Sequence, residues 1–307
     1  MELKPASTPK RSHWGVWLSI AAILLMSLLA IFAHVIAPYH PTKMQIGQSN
    51  WPPIWYDSPL NSGQSDHILG TDRYGRDVYS HVIYGARAAM FLVLIAIPLA
   101  ALIGVLVGVT AGLGNQLVET IFLRLTDIAS SVPAFMFAVI IILILRPTPT
   151  GMAFGGLITM TLAFALVNWV GLARLLHTSL LKIKHQEFME ASKSLGAGTV
   201  HQIFKHILPH LSHLIVVWVV NNIPAVILLE ALLGYIGVQI LQVSDGTSFQ
   251  DLSWGGLIFV GRSQLSRNPF ILLVPTLCIL ILAMSFSILG EYLNEKLNPQ
   301  LESNEII

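Results

Sequence analysis

A polar stretch, EFMEASKSLGAG, interrupts an otherwise apolar chain between Glu187 and Gly198. Charged side chains crowd around it, and apolar residues recur between them at roughly helical spacing. A helix with this pattern has one polar face and one apolar face. The apolar face would be buried on a partner protein or on the membrane surface, so the stretch predicts a docking element.

Three ionisable residues lie within or at the ends of strongly apolar segments: Arg124 and Asp127 in one, and Glu230 in another. Ionised side chains inside a membrane are costly and are candidates for a functional site. Arg124 and Asp127 can also pair with each other on one helix. We favour that ion pair, because Arg124 can extend to the cytoplasmic membrane surface. Glu230 would either form a hydrogen bond between packed helices or line a transport pathway.

Four histidines follow the polar stretch, at His201, His206, His210 and His213. Imidazoles are common metal ligands, but Pro209 interrupts the helical spacing between them, and we predict no metal site. The chain has neither a GxxxxGK[ST] loop for nucleotide phosphates nor a recognisable Ser/His/Asp motif. We therefore predict no catalytic residue and no cofactor bound by this chain.

The composition of the 307 residues indicates a membrane protein. Only 11% are charged and the mean hydropathy is +0.70, whereas soluble domains carry about 25% charged residues. The net charge of +1 argues against a nucleic-acid partner. The single cysteine, Cys278, cannot form an internal disulfide. The first apolar segment is longer than a signal peptide requires, so we predict a retained anchor.

Six segments are long and apolar enough to cross a bilayer. They are 14–37, 88–112, 121–145, 151–173, 211–235 and 269–290. Six crossings place both termini on one side of the membrane, and Lys and Arg favour the cytoplasm for the termini and for the 174–210 loop. In the 38–87 loop, Trp51, Trp55 and Tyr56 predict an interfacial aromatic belt, with contact to a binding protein as the alternative.

The 174–210 loop predicts an amphipathic helix. Its apolar positions recur at helical spacing, and they are Leu175, Leu176, Leu180, Ile183, Phe188, Ala191 and Leu195. Gly196 and Gly198 are expected to end this helix as C-cap glycines. A second short apolar set, ending at Pro209, would lead into the fifth span.

This loop resembles the EAA loop of ABC importer permeases. The resemblance is carried by Glu190, Ala191, Ser192 and Gly196, followed by the sequence His206-Ile207-Leu208-Pro209. Ser192 replaces the second alanine of that motif, and His210 stands where Asn is common. The resemblance implies that the loop is a cytoplasmic coupling helix, which docks on an ATP-hydrolysing subunit through Glu190, Ala191, Ser192, Gly196, His206, Leu208 and Pro209.

Further motifs resemble those of the C-type permeases of dipeptide, oligopeptide and nickel importers. They are LGTDRYGRDVYSHVIYGAR (69–87), RLTDIASSVP (124–133), EALLGYIGV (230–238), SWG (253–255) and LGEYLNEKLNP (289–299). The resemblance implies an all-α membrane protein with six transmembrane helices and the type I ABC importer permease fold. It divides the chain into an anchor and external loop (1–87), a five-span core (88–290) and a cytoplasmic tail (291–307).

The resemblance also implies the function and the partners. The chain would be a multi-pass permease subunit of a bacterial inner membrane, with both termini cytoplasmic. It would form the pathway for peptides or a related small solute with a second homologous permease. Two ABC ATPase subunits would bind the ATP and magnesium, and an extracytoplasmic solute-binding protein would deliver the solute. The alternatives are a secondary transporter and a membrane scaffold without ATPase partners.

Overall fold

The computed structural model describes residues 13–41, 43–56, 66–152, 156–238 and 253–297. Within these ranges the chain is almost entirely helical and contains no β-strand; a single isolated β-bridge joins Thr71 and Asp77. The α-helices are α1 His13–Ile31, α2 Ala33–Ile36, α3 Val78–Leu113, α4 Gln116–Ser131, α5 Ala134–Leu145, α6 Pro149–Met152, α7 Leu157–Lys184, α8 Glu187–Ser194, α9 Thr199–Gln202, α10 Leu208–Ile236, α11 Trp254–Gly261 and α12 Phe270–Leu297.

Five helical segments of the described chain are long and apolar enough to cross a membrane. They are Trp14–Ile31, Val78–Leu113, Ile158–Lys184, Thr199–Ile236 and Phe270–Leu297. The helices α4 and α5 supply a sixth crossing when they are taken together. The prediction of an all-α membrane protein is confirmed, with a sixth span that differs in kind from the other five.

The predicted span over 121–145 is formed by two helices, α4 and α5, and not by one. The axes of α4 and α5 meet at 91°, and Val132 between them is extended, with φ −96° and ψ 128°. A residue that precedes proline is driven out of the helical region by the proline ring, and Pro133 follows Val132 here. Apolar composition alone therefore found this segment but missed its bend.

Helix α3 begins ten residues earlier than the predicted second span. The side chain of Asp77 accepts a hydrogen bond from the Ser80 N–H and caps the helix at Val78. The predicted boundary at residue 87 consequently falls inside α3. At the other end of the chain, α12 continues to Leu297, seven residues past the predicted span, while 298–307 of the predicted tail lie outside the described residues.

The predicted amphipathic helix in the 174–210 loop is two helices. Helix α7 continues to Lys184, and α8 begins at Glu187 after a turn at His185 and Gln186. Pro209 does not interrupt the following helix. A π-helical turn, Ile203–Ile207, joins α9 to α10, and the Leu208 N–H bonds to the Ile203 carbonyl. In this wider turn the hydrogen bonds span five residues instead of four. The change occurs just before Pro209, which has no N–H group to donate.

Helices α3 and α7 pack closely along glycines of α3. A Cβ atom on Gly104, Gly108 or Gly112 would lie within 3 Å of α7, because their nearest neighbours there are Leu172, Ala173 and Leu180 respectively. The paired positions advance together along both helices, so α3 and α7 run parallel. The start of α3 and the end of α7 therefore lie at opposite ends of the bundle, with the segment after α7 far from the one before α3.

Candidate functional site

Helix α8 presents one buried face and one exposed face. Met189 and Ser192 are buried, whereas Glu187, Glu190 and Lys193 are exposed. Met189 joins a hydrophobic cluster with the last turns of α7 and the first turn of α10, through Leu180 and Leu211 among others. The two glutamates lie in the first turn of α8 and the lysine in its last turn, which suits the helix dipole.

Gly196 ends α8 as predicted. Its φ is +78°, its N–H bonds to the Lys193 carbonyl at 2.9 Å, and the Ala197 N–H bonds to the Ser192 carbonyl at 3.1 Å. These two bonds define a Schellman turn. Gly198 has a different role from the predicted one: it is the N-cap of α9, with φ −68°.

Four of the residues predicted to couple line a shallow, open depression beside α8. Ala191, Ser192, Gly196 and His206 line it. Leu208 is half-buried and Pro209 is exposed, and both are in the first turn of α10. Three large apolar side chains stand out from the same segment, at Leu195, Val200 and Phe204, which are 88%, 69% and 69% exposed. We refer to residues 187–210 as the α8 segment.

Aromatic rings connect α8 to the next helix. The ring of Phe188 stacks on His210, with centroids 5.0 Å apart and planes at 23°. His206 lies 6.0 Å from the same phenyl ring, and His201 lies 5.9 Å from His206. Across the described residues, no three His, Cys, Asp or Glu side chains are grouped closely enough to hold a metal ion.

The predicted ion pair between Arg124 and Asp127 is wrong. Asp127 instead pairs with Arg174 of α7, at 2.9 Å between Oδ1 and Nη2. Both of these side chains are substantially exposed, and Arg124 is exposed as well. Asp127 is near enough to pair with either Arg124 or Arg174. The packing of α7 against α4 brings Arg174 to Asp127. A second bridge between α4 and α7 joins His177 Nε2 and Glu119 Oε1 at 3.1 Å.

Glu230 is buried, and it lies against the start of α11. Its carboxylate accepts hydrogen bonds from the Ser253 hydroxyl and from the Gly255 N–H. Gly234, one turn further along α10, contacts the Gly255 backbone so closely that a Cβ atom would lie 2.3 Å from the Gly255 carbonyl carbon. This is the geometry of a hydrogen bond between packed helices, the first of the two alternatives for Glu230.

The sequence motifs did not reveal a buried polar cluster that precedes α3. We call residues 39–41, 43–56 and 66–77 the polar lobe. Asp72 Oδ2 accepts from Arg76 Nε at 2.7 Å, and Asp72 Oδ1 accepts from the backbone N–H of Tyr74 and Arg76. His67 Nδ1 donates to Asp77 Oδ1 at 2.8 Å, while His67 Nε2 lies 2.9 Å from Gln48 Oε1.

The polar lobe is also joined to the turn before α12. Asn268 Nδ2 donates to the Trp51 carbonyl at 3.2 Å, and Gly70, with φ +75°, lies against both residues. The rings of Trp55 and Tyr56 meet Phe270 edge-on, at 5.8 and 5.9 Å. One signal for this cluster was present in the sequence: LGTDRYGRD contains Gly twice and Asp twice, as is typical of turns and caps.

These features define a multi-pass helical membrane protein with a short amphipathic helix projecting from one end of the bundle. Residues 104–299 match the family described as the binding-protein-dependent transport system inner membrane component. Residues 11–53 match the N-terminal transmembrane domain of oligopeptide transport permease C. The chain belongs to the first of these families, the ABC transporter permeases.

Curated relatives align over nearly the whole chain. The dipeptide transport system permease protein DppC of Haemophilus influenzae is 29% identical over 96% of this chain and 96% of its own length. The oligopeptide transport system permease protein OppC of Bacillus subtilis is 30% identical over 97% of this chain and 90% of its own. The di/tripeptide transport system permease protein DppC of Pseudomonas aeruginosa is 29% identical over 92% and 86% respectively.

Proposed function

We propose that this chain is one of two permease subunits of an ATP-driven peptide importer. The second subunit is a homologous permease, and the pair forms the solute pathway. Two ATPase subunits bind ATP and magnesium, and an extracytoplasmic solute-binding protein delivers the peptide. The peptide assignment rests on the relatives that align over almost the full chain, which are permease proteins of dipeptide and oligopeptide transport systems.

The observation that carries the proposal is the form of the α8 segment. A helix with its inner face in the core and its outer face exposed, followed by exposed apolar side chains, offers a partner a ready-made contact surface. In a membrane scaffold without ATPase partners, the exposed face of α8 and the Schellman turn that ends it would have no partner to contact. In a secondary transporter the segment would likewise lack an ATPase to contact.

The orientation follows from placing the α8 segment in the cytoplasm, where ATP is available. Both termini then lie in the cytoplasm, because six crossings separate them. The polar lobe, at the opposite end of the bundle from α8, faces the extracytoplasmic side. There, Trp55 and Tyr56 are exposed beside Phe270, on the side from which the binding protein approaches.

Transport then depends on differential contacts in two states. ATP-driven closure of the ATPase subunits moves the α8 segments of the two permeases together. Because Met189 is part of one hydrophobic cluster with α7 and α10, the cytoplasmic ends of both helices follow α8. The pair thereby changes from an inward-open to an outward-open arrangement by rigid-body motion.

The proposal is tested by replacing Gly196 with valine in a tagged permease co-expressed with its second permease and ATPase subunits. A β-branched residue is strained at φ +78°, so the end of α8 is deformed. We expect the variant to insert normally but to lose recovery of the ATPases on purification, and uptake with it. Glu190→Ala should lower the same recovery less, since it removes only one exposed charge.

Gly47→Val is the matched control. Gly47 also has a positive φ, +86°, and open space around its Cβ position, but it lies in the polar lobe at the opposite end. It carries the same backbone strain and should leave ATPase recovery unchanged. Normal recovery and normal uptake in Gly196→Val would overturn the assignment of α8 as the coupling helix.

A further inference from the structure

The contact between α8 and α10 contains an aromatic stack. Phe188 lies on the inner side of α8, half-buried, and its ring faces His210 in the first turn of α10. At 5.0 Å and 23°, the two rings are parallel neighbours. His206 lies 6.0 Å from the same phenyl ring, one turn earlier in the chain.

We propose that Phe188 and His210 are positioning residues that transmit the movement of α8 to α10 during transport. The inference rests on the proposed function, and it names the pair of side chains through which docking becomes motion of a membrane span. Phe188 lies outside the EAA-like motif, and His210 stands at the position of that motif where Asn is common. Both act through the helices that they join and do not contact the solute.

The connection between α8 and α10 explains why a side-chain contact is needed. The backbone path between them passes through the Schellman turn, Ala197 and the short helix α9. The Cβ positions of Gly196 and Gly198 have nothing within 4 Å, and the side chain of the buried Gln202 ties this path to α9 by donating to the Ala197 carbonyl at 3.1 Å. A shift of α8 therefore reaches α10 chiefly through side chains, those of the Met189 cluster and the ring of Phe188. The stack of Phe188 on His210 bypasses that path.

The helix beyond the stack is continuous enough to carry the movement. From Thr199 to Ile236 the chain forms one uninterrupted helical segment, in which the π-turn, Ile203–Ile207, replaces a break. Ile207 and Leu211 flank the histidines and are completely buried in the cluster that also holds Met189. A displacement of His210 therefore acts on α10 next to residues that are fixed by packing in the hydrophobic cluster.

Two substitutions at His210 separate the aromatic contact from other properties of the side chain. His210→Asn keeps a polar group of similar size but has no ring, and His210→Phe keeps a ring but no polar group. We expect His210→Asn to lower peptide uptake about 3- to 10-fold, the effect of removing an aromatic pair. Uptake by His210→Phe should stay close to wild type. Phe188→Leu should resemble His210→Asn, and Phe188→Tyr should resemble the wild type.

The readout that identifies transmission is the ratio of solute transported to ATP hydrolysed, in the complete complex reconstituted in vesicles with its binding protein. In His210→Asn the ATPases should co-purify normally and hydrolyse ATP, while uptake falls, so the ratio drops. His213→Ala is the control, because that imidazole has no ring contact within the described residues. It should leave the ratio unchanged.

Each other outcome contradicts the inference in a recognisable way. Unchanged uptake in both His210→Asn and Phe188→Leu would show that the stack transmits nothing. Loss of ATPase recovery in these variants would make the pair part of the docking surface instead. A wild-type permease that retains no ATPase would refute the proposed function itself, and that result is distinct from both.

Discussion

The polar lobe and the α8 segment use similar residues in opposite ways. In the polar lobe, Asp72 and Arg76 are buried and bond to each other. In the α8 segment, Glu190 and Lys193 are exposed, and the exposed surface also includes large apolar side chains such as Leu195. A buried charge must be satisfied by its own chain, whereas an exposed mixture of charge and apolar surface remains available to a partner.

The glycines of the two regions repeat this contrast. Gly70 and Gly196 have nearly the same φ, +75° and +78°. A Cβ atom at Gly70 would lie 2.2 Å from the Trp51 carbonyl oxygen, whereas one at Gly196 would have no neighbour within 4 Å. The backbone conformation is shared, but Gly70 is enclosed by its neighbours, whereas Gly196 is open. One region is built as a rigid structure, and the other is built as a contact surface.

The largest expected effect is that of Asp72→Ala, which tests whether the buried charges hold the polar lobe together. The substitution leaves Arg76 buried without its partner, and breaking a buried ion pair costs about 3–5 kcal/mol. We expect a marked fall in the thermal unfolding temperature of the purified protein. Arg73→Ala is the control, because Arg73 is exposed. Equal unfolding temperatures for both variants would remove the contrast between the two regions.

A smaller effect is expected from the glycine comparison, with alanine placed at Gly70 and, separately, at Gly196. Alanine in the left-handed region costs roughly 1–2 kcal/mol at either position. Only Gly70→Ala adds a collision with backbone, since the Trp51 carbonyl cannot move as a flexible side chain does. Thermal unfolding should therefore show the larger loss for Gly70→Ala. A larger loss for Gly196→Ala would mean that the α8 segment is as tightly constrained as the polar lobe.

The smallest effect concerns the exposed pair Asp127–Arg174, which joins α4 to α7. Exposed ion pairs are typically worth about 0.2–1 kcal/mol, and these two side chains are 63% and 42% exposed. Alanine at either position should shift unfolding slightly, and the swap Asp127→Arg with Arg174→Asp should restore most of that shift. The matched swap of Arg124 with Asp127 should restore nothing. Recovery by the second swap would reinstate the pair within α4.

Local features of the sequence determined the class of protein, the apolar segments that could cross a membrane and the end of α8. A membrane span is recognised from the hydropathy of about twenty consecutive residues, so it can be found without knowing how the helices pack. Gly196 was predicted as the C-cap because the Schellman turn involves only neighbouring residues. The EAA-like motif predicted the family for the same reason, since its residues lie within one short segment.

Only the tertiary structure decided which distant groups meet. Asp127 pairs with a residue 47 positions away rather than with one three positions away, and Asn268 bonds to Trp51 across 217 positions. The stack of Phe188 on His210 likewise depends on how α8 returns to α10. Sequence spacing limits which partners a side chain can reach along one helix. The choice among partners on different helices depends on how the whole bundle packs, and no local pattern encodes that.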